Sequence, residues 1–335
     1  MGSVWQTIRG RAGRGTAWFV LLLFIAVSIF PIYWALKTSF TTNTNVVSSP
    51  GEIFPSEPTK NNWDRVLGPG LEEFAGGTFS GLFPTPTLEE IQAAGGTDKT
   101  VNLFDAVKNS VIVATMITVG QVFFCALAAY AFARLKFRGR EALFVVFLSA
   151  LMVPPIFTAL PNFLFIRDMQ LDVLVFNIPF DWLPTVDSKT GWLKTHQGLA
   201  APFFLMTPFA IFFLRQFFLG ISHEVEEAAI LDGAGHVRRF FQIVLPMAAA
   251  PIATLAIITY VTAWNEFLWP FLVGGRDLQV ITVALNDFKA QTPGTVRPDW
   301  SGLMTATFVA SVPILLLFGA LGRRVVDSIQ FSGIK

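Results

Sequence analysis

Six stretches of the chain carry apolar residues at nearly every position, over lengths that fit a lipid bilayer. The hydrocarbon core of a bilayer needs about 20 apolar residues of α-helix. Because a backbone in lipid has no water to bond, each stretch is predicted to be helical. The predicted spans are 17–36, 106–133, 142–166, 200–219, 246–272 and 302–321. The pattern therefore predicts an all-α membrane protein with six transmembrane helices.

The composition supports lipid as the solvent of these stretches. Hydrophobic residues make up 53% of the chain and charged residues 14%, whereas soluble domains carry about 25% charged residues. The net charge of +1 gives no basic excess of the kind that binds nucleic acid. The single cysteine and the three scattered histidines have no metal-ligand spacing. We therefore expect contacts with membrane lipid, no nucleic-acid partner and no metal site.

The placement of lysine and arginine predicts the orientation of the spans, because cytoplasmic loops are enriched in these residues. Two tight basic clusters, 134–140 and 323–324, fall on the same side as the N-terminus. We therefore place residues 1–16 and the C-terminus in the cytoplasm. This orientation puts 37–105, a long segment rich in Gly, Pro, Ser and Thr, on the extracytoplasmic side. Residues 106–335 then form the core of the protein.

The segment 222–245, between the fourth and fifth spans, is predicted to begin with a short cytoplasmic helix outside the bilayer. Ser222 is a suitable N-cap, and the three glutamates that follow it favour a helix start. Gly233 and Gly235 then interrupt the helix. One face carries mostly small residues at helical spacing, namely Val225, Ala228, Ala229 and Asp232. Such a surface can lie close against another protein.

One motif in this segment identifies a family. Glu227-Ala228-Ala229, Gly233, Ile243, Leu245 and Pro246 match the pattern E-A-A-x-x-x-G-x(9)-I-x-L-P. The motif resembles the EAA signature of binding-protein-dependent ABC importer permeases. The resemblance implies the type I ABC importer permease architecture, in which a cytoplasmic coupling helix docks into a groove on the nucleotide-binding subunit. The residues that it assigns to ATPase coupling are Glu226, Glu227, Ala228, Ala229, Asp232, Gly233, Ala234, Ile243, Leu245 and Pro246.

Two further runs, 129–137 (AYAFARLKF) and 264–270 (WNEFLWP), are similar to the carbohydrate branch of this family, the relatives of the maltose permease pair. The resemblance implies a non-catalytic permease subunit of a carbohydrate (oligosaccharide) importer in a bacterial cytoplasmic (inner) membrane. Its partners would be a second homologous permease subunit, two nucleotide-binding ATPase subunits and an extracytoplasmic carbohydrate-binding protein. The chain has no Walker A sequence. ATP and Mg would therefore bind the ATPase subunits, and this chain would bind no cofactor.

The fifth predicted span contains a candidate site on the substrate pathway. Trp264, Asn265 and Glu266 lie near its outer end, and Glu266 is the only acidic residue within the predicted spans. Ionisable groups in spans usually face a cavity or a partner. Alternatively, Glu266 reaches the outer interface or bonds a neighbouring helix. The sequence leaves both interpretations open.

The same pattern disfavours two other functions and leaves a third open. A stand-alone ion-coupled secondary transporter would need ionisable groups at mid-membrane, and the sequence places none there. A membrane-embedded enzyme would need His, Asp or Glu at catalytic or ligand spacing on the spans, and no catalytic residue is predicted. An ABC importer permease for a non-sugar solute remains compatible with the EAA signature.

Overall fold

The regular structure is helical throughout the residues that a computed structural model describes, which are 2–55, 57–75, 102–168, 191–276, 278–289 and 298–331. The helices are α1 (Gly2–Ser39), α2 (Asn43–Ser48), α3 (Asn61–Ala75), α4 (Leu103–Arg134), α5 (Arg140–Ser149), α6 (Pro155–Asp168), α7 (His196–Phe204), α8 (Pro208–Gly220), α9 (His223–Leu231), α10 (His236–Arg239), α11 (Leu245–Met247), α12 (Ala249–Trp264), α13 (Leu268–Val273), α14 (Ile281–Asp287) and α15 (Trp300–Phe331). A 3-10 turn at Ala150–Met152 continues α5, and a π-helical turn at Phe240–Val244 joins α10 to α11.

Within the described part of the chain, three helices are long and apolar enough to cross a membrane without a break: Thr16–Ser39 in α1, Leu103–Arg134 in α4, and Trp300–Ala320 in α15. Three bent pairs of helices also reach the required length and hydropathy, which gives up to six spans if each pair is one span. The prediction of an all-α chain with six membrane spans is confirmed in this sense. With these spans, the chain is a multi-pass membrane protein.

The sequence predicts the third and fourth spans as continuous helices that are kinked at their prolines, and the fifth as one helix, whereas the structure breaks each of them into two helices. Their bends are 97° within Arg140–Arg167, 49° within His196–Gly220 and 78° within His236–Trp264. Proline explains the first two, because a residue before proline is forced towards extended backbone. Val153, before Pro154, has φ −87° and ψ 113°, and Thr207, before Pro208, has φ −121° and ψ 142°.

The third bend falls at Ala248, which has φ −96° and ψ 17°. Pro251 follows three residues later and has no N–H to donate to the Met247 carbonyl, which lies one helical turn earlier. The predicted fifth span also ends early. The helix α12 stops at Trp264, and a separate helix, α13, begins at Leu268. The stretch 246–272 is therefore not one helix.

The chain divides into two compact units. The first contains the described residues of Met1–Leu103 and Leu285–Ser311, and the second contains those of Phe104–Ala284 and Val312–Lys335. In the first unit, α1 is exposed on all sides over residues 16–32. An apolar helix without packing partners of its own needs an apolar surrounding, which lipid provides.

A buried polar network holds the other elements of the first unit. The Asn62 side-chain amide donates hydrogen bonds to the carbonyls of Ser39, at 3.0 Å, and Thr41, at 2.9 Å. These carbonyls lie at the end of α1, where helical partners run out. Arg65 forms a 2.7 Å ion pair with Asp299. We predicted 37–105 as a long extracytoplasmic segment with one short helix at 88–94, and 88–94 lies outside the described residues. The structure places α2 and α3 within this segment, and these contacts bury part of it.

Two apolar clusters form the core of the second unit. The first packs the C-terminal half of α4 against α5, α8 and the π-helical turn, and includes Cys125, Ala129, Tyr130, Phe144, Leu214, Phe218, Phe240 and Val244. The second packs the N-terminal half of α4 against α7, α13 and the segment that leads into α14, and includes Val113, Ile117, Leu199, Trp269, Val273 and Val280. These clusters position the segment that contains the EAA motif and the segment around Glu266.

Candidate functional site

The helix α9 has well-formed ends, as the sequence predicted for this segment. The Ser222 hydroxyl accepts a hydrogen bond from the Glu224 N–H at 3.3 Å, and the first turn contains acidic side chains. At the other end, the Ala234 N–H bonds the Ala229 carbonyl at 2.8 Å. The Gly233 N–H bonds the carbonyl three residues earlier, and Gly233 has φ +78°. This is a Schellman termination, which favours glycine at the position with positive φ.

The outward face of α9 differs in part from the predicted one. Of the predicted face, Val225, Ala228 and Asp232 are exposed, but Ala229 is only 7% exposed and packs inward. The exposed surface instead extends to Leu231, which is 88% exposed, and beyond α9 to Val237, which is 72% exposed. Sequence reasoning missed these two apolar residues. The sequence contained a signal for them, because an apolar side chain beside a glycine turn, in a segment predicted to lie outside lipid, is expected to contact a partner.

Glu226 and Glu227 are neighbours with opposite environments. Glu227 is exposed, whereas the Glu226 side chain is 7% exposed and enclosed by two arginines. Its Oε1 lies 3.1 Å from Arg134 Nε, and its Oε2 lies 3.8 Å from Arg239 Nη1. The sequence assigned both glutamates to ATPase coupling through a contact surface. The role of Glu226 in coupling stays a prediction, and Arg134 and Arg239 are partners that sequence reasoning missed.

The end of the segment returns to the core of the second unit. In the motif, Ile243 and Leu245 are partly buried, and Pro246 is exposed in the first turn of α11. Ala234 is also partly buried. The residues that are buried most deeply here are Phe240 and Val244, at 3% and 0% exposed. The EAA segment therefore has one exposed part, on α9, and one anchored part, on the π-helical turn.

The three candidate pathway residues have different surroundings. Trp264 is buried and stacks on Tyr260 with ring centroids 6.1 Å apart. Asn265 is exposed, and its side chain donates a hydrogen bond to the Val261 carbonyl at 2.8 Å. Glu266 lies in the break between α12 and α13, where its Oε1 accepts a hydrogen bond from the Trp269 N–H at 3.3 Å. Glu266 is therefore not inside a helix, which corrects the prediction.

Glu266 also lines a cavity of about 250 Å³ in the second unit. Neither Trp264 nor Asn265 is among its lining residues. Its polar lining comprises Gln121, Thr207, Thr259, Thr262 and Glu266, and its apolar lining includes Ile117, Phe203, Phe209 and Ile258. The Gln121 amide donates a hydrogen bond to the Thr207 hydroxyl. Glu266 thus bonds the backbone at the start of α13 and lines a cavity, and its role on the substrate pathway stays a prediction.

Apolar spans, a partly polar cavity between them and an exposed helix outside them are typical of a membrane transport protein. Residues 121–330 match the family described as "Binding-protein-dependent transport system inner membrane component". The chain belongs to this family. The EAA resemblance is therefore confirmed at the level of the family.

Relatives cover almost the whole chain. It is 27% identical over 312 residues to the diacetylchitobiose uptake system permease protein NgcG of Streptomyces coelicolor, which covers 93% of this chain and 85% of the relative. It is 26% identical to the sn-glycerol-3-phosphate transport system permease protein UgpE of Brucella abortus, over 92% of this chain and 93% of the relative. It is 24% identical to the trehalose/maltose transport system permease protein MalG of Thermococcus litoralis, over 94% of each.

A solved structure shares the fold. It is a bacterial ABC transporter involved in the import of the acidic polysaccharide alginate, and it matches with a TM-score of 0.66 and 17% identity. The match covers 92% of this chain and 95% of the solved chain. The type I permease architecture expected from the EAA motif is therefore the fold of this protein.

Proposed function

We propose that this chain is one of two permease subunits of an ATP-driven importer that takes up a neutral carbohydrate through a bacterial inner membrane. The remaining subunits are two ATPases that bind ATP and Mg and an extracytoplasmic binding protein. The observation that carries the proposal is α9, a capped helix with an exposed surface at the position of the EAA motif. The positive-inside distribution supports a cytoplasmic location for it.

The exposed surface of α9 suits a protein partner. Ala228 is small enough to allow close approach of a partner. Leu231 and Val237 expose apolar surface, and burying this surface against a partner is favourable. Glu227 adds a charge at its edge for an ion pair with the partner. In this proposal the ATPase subunit receives this surface in a groove, and closure of the ATPase dimer moves α9.

The cavity beside Glu266 supports a neutral substrate rather than a phosphate. Among the described residues, its lining includes an amide, three threonines and one carboxylate, and none of these lining residues is a lysine or arginine. Amides, hydroxyls and carboxylates bond sugar hydroxyls, and Phe203 and Phe209 offer faces for an apolar sugar ring. A phosphate in the same place would meet the carboxylate of Glu266 without a cation to offset it. The named substrates of two relatives, diacetylchitobiose and trehalose/maltose, are sugars.

The test is substrate-stimulated ATPase activity of the complex purified through a tag on this chain. The wild-type complex is expected to contain an ATPase subunit and to respond to binding protein with a neutral oligosaccharide. Ala228→Glu places a charge in the contact surface and is expected to lower the stimulated rate about tenfold. Lys136→Glu, which adds the same group at an exposed residue of another cytoplasmic loop, is expected to leave the response intact.

The contrary results are equally defined. If no ATPase subunit accompanies the chain and uptake follows an ion gradient, the importer assignment is wrong. If a polyol phosphate stimulates the complex and neutral oligosaccharides do not, the substrate belongs to the class named for the glycerol-phosphate relative. If Ala228→Glu responds like the wild type, α9 does not carry the contact.

A further inference from the structure

Glu226 joins α9 to two other parts of the second unit through its two carboxylate oxygens. Oε1 lies 3.1 Å from Nε of Arg134, which is the last residue of α4. Oε2 lies 3.8 Å from Nη1 of Arg239, which is the last residue of α10. The three side chains are 7%, 2% and 10% exposed. Water therefore screens this charge cluster only weakly.

Arg134 extends the connection to a fourth element. Its Nη2 donates hydrogen bonds to the carbonyls of Phe218 and Ile221 at the end of α8, the latter at 2.5 Å. The Phe218 carbonyl also accepts a hydrogen bond from the Ile221 N–H at 3.3 Å, and the Ile221 carbonyl lies just beyond the end of α8. One guanidinium thus satisfies the end of α8 and binds the carboxylate of α9. A displacement of Glu226 is transmitted to α4 and α8 together.

Arg239 connects α9 to the helices that follow. The chain runs from Arg239 into the π-helical turn, where Phe240 and Val244 are buried, and then into α11 and α12. Arg239 Nη2 also lies 2.6 Å from His236 Nδ1. The covalent connections of α9 to these elements are less rigid, because the turn after it passes through Gly233 and Gly235. The ion cluster bypasses this turn.

We propose that Glu226 is a positioning residue that makes α9 move as one body with α4, α8 and α10, so that displacement of α9 by the ATPase reaches the membrane spans. This inference rests on the proposed function. It separates the two adjacent glutamates by role, because Glu227 faces outward and Glu226 faces the arginines. Loss of the Glu226 charge leaves α9 folded but lets it move independently of the spans.

The local contacts predict that a neutral variant assembles. In Glu226→Gln, Arg134 keeps its hydrogen bonds to the Phe218 and Ile221 carbonyls. It also keeps its 2.9 Å contact to His223 Nδ1. Arg239 keeps its contact to His236. Glutamine also preserves the shape of the side chain. The variant therefore removes the link without leaving either arginine unpartnered.

The experiment compares variants of the complete complex in lipid nanodiscs, with the binding protein and a transported sugar. The readouts are co-purification of the ATPase subunit, the thermal midpoint and the ratio of stimulated to basal ATPase rate. In Glu226→Gln, the ATPase subunit is expected to co-purify and the midpoint to fall, because two buried guanidinium charges lose their anion while keeping neutral partners, and the ratio is expected to fall about tenfold. Glu226→Asp keeps the charge and is expected to recover much of the ratio. Glu224→Gln, at an exposed position on the same helix, is the matched control.

A second variant tests the inference if Glu226→Gln does not assemble. Arg239→Gln leaves the Arg134–Glu226 pair intact and is expected to assemble and to lower the ratio several-fold. Combined with Glu226→Gln, where that variant assembles, it is expected to add no further loss, because both act on one link.

A wild-type ratio in Glu226→Gln, or in Arg239→Gln where only that variant assembles, overturns the inference while the proposed function stands. Losses that multiply in the double variant also overturn it. A wild-type complex that lacks an ATPase subunit or any response to the sugar overturns both.

Discussion

Among the described residues, each unit contains one deeply buried carboxylate, and the two carboxylates are held in different ways. In the first unit, Asp299 Oδ2 lies 2.7 Å from Arg65, and its Oδ1 accepts hydrogen bonds from the Gly302 N–H at 2.9 Å and the Ser301 hydroxyl at 3.2 Å. In the second unit, Glu226 has arginine partners at 3.1 and 3.8 Å. Asp299 therefore has short contacts on both oxygens, whereas Glu226 has one short and one long contact.

The difference indicates that Asp299 is an anchor that stabilises the first unit, whereas Glu226 is a link between elements of the second unit. Asp299 also caps the start of α15, so its carboxylate cannot move without opening the helix end. The arginines around Glu226 each have other partners, namely backbone carbonyls for Arg134 and His236 for Arg239. The arginines therefore keep hydrogen-bonding partners when the Glu226 charge is removed, so Glu226 is expected to contribute less to stability than Asp299.

The largest expected effect is the loss of the anchor in the first unit. Asp299→Asn leaves the buried guanidinium of Arg65 without its anion and is expected to lower the free energy of unfolding by about 3–5 kcal/mol. The measurement is unfolding in mixed detergent micelles, followed by tryptophan fluorescence. Glu52→Gln, at an exposed residue of the same unit, is expected to change little. If Asp299→Asn destabilises no more than Glu226→Gln, the contrast between anchor and link is wrong.

A smaller effect is expected from crowding the same anchor. A Cβ on Gly302 would lie 2.6 Å from Asp299 Oδ2 and also contact Arg65 Nη2. Gly302→Ala is therefore expected to destabilise by about 1–3 kcal/mol through strain in the ion pair. Gly319, in the same helix, has no atom within 4 Å of an added Cβ. Gly319→Ala is expected to be neutral or stabilising, by at most about 1 kcal/mol. Equal changes in stability for the two variants would show that the ion pair moves aside without cost.

The smallest effect on stability is expected at the end of α9. Gly233 has φ +78° with open space around it, so Gly233→Ala is strained by backbone conformation alone, by about 1 kcal/mol. The change acts on the exposed segment, so we expect a clearer loss in the stimulated ATPase rate than in the thermal midpoint. Gly220→Ala, which also has open space but no positive φ, is the control. A normal stimulated rate in Gly233→Ala would show that the termination of α9 is dispensable.

Several features of the fold could be predicted because they depend on local pattern. Long apolar runs predicted the spans, and Ser222 with the following glutamates predicted the start of α9. The glycine at 233 gave its end, since few other residues adopt a positive φ. The bends at Val153 and Thr207 are also local, as proline follows each of them. Here the sequence contained the signal, but we interpreted the prolines as kinks within continuous spans.

The contacts that define the buried carboxylates could not be predicted in this way. Arg65 and Asp299 are far apart in the chain, as are Arg134 and Glu226, and no local pattern pairs them. The helical phase of α9 is a further example. Glu224, Glu226 and Glu227 are chemically alike, and only packing against α4 and α10 decides that the second is buried and the others are exposed.

The sequence by itself determined that this protein lies in a lipid membrane, how many candidate spans it has and which family motif it contains. These features depend on hydropathy and turn chemistry, which are set by neighbouring residues. The tertiary structure alone decided how far the spans bend, which lining residues meet Glu266 in a cavity and which glutamate of α9 faces the arginines. These features depend on the relative placement of elements that lie far apart in the chain. Burial changes the strength of a charge interaction severalfold, and burial exists only once those elements have packed.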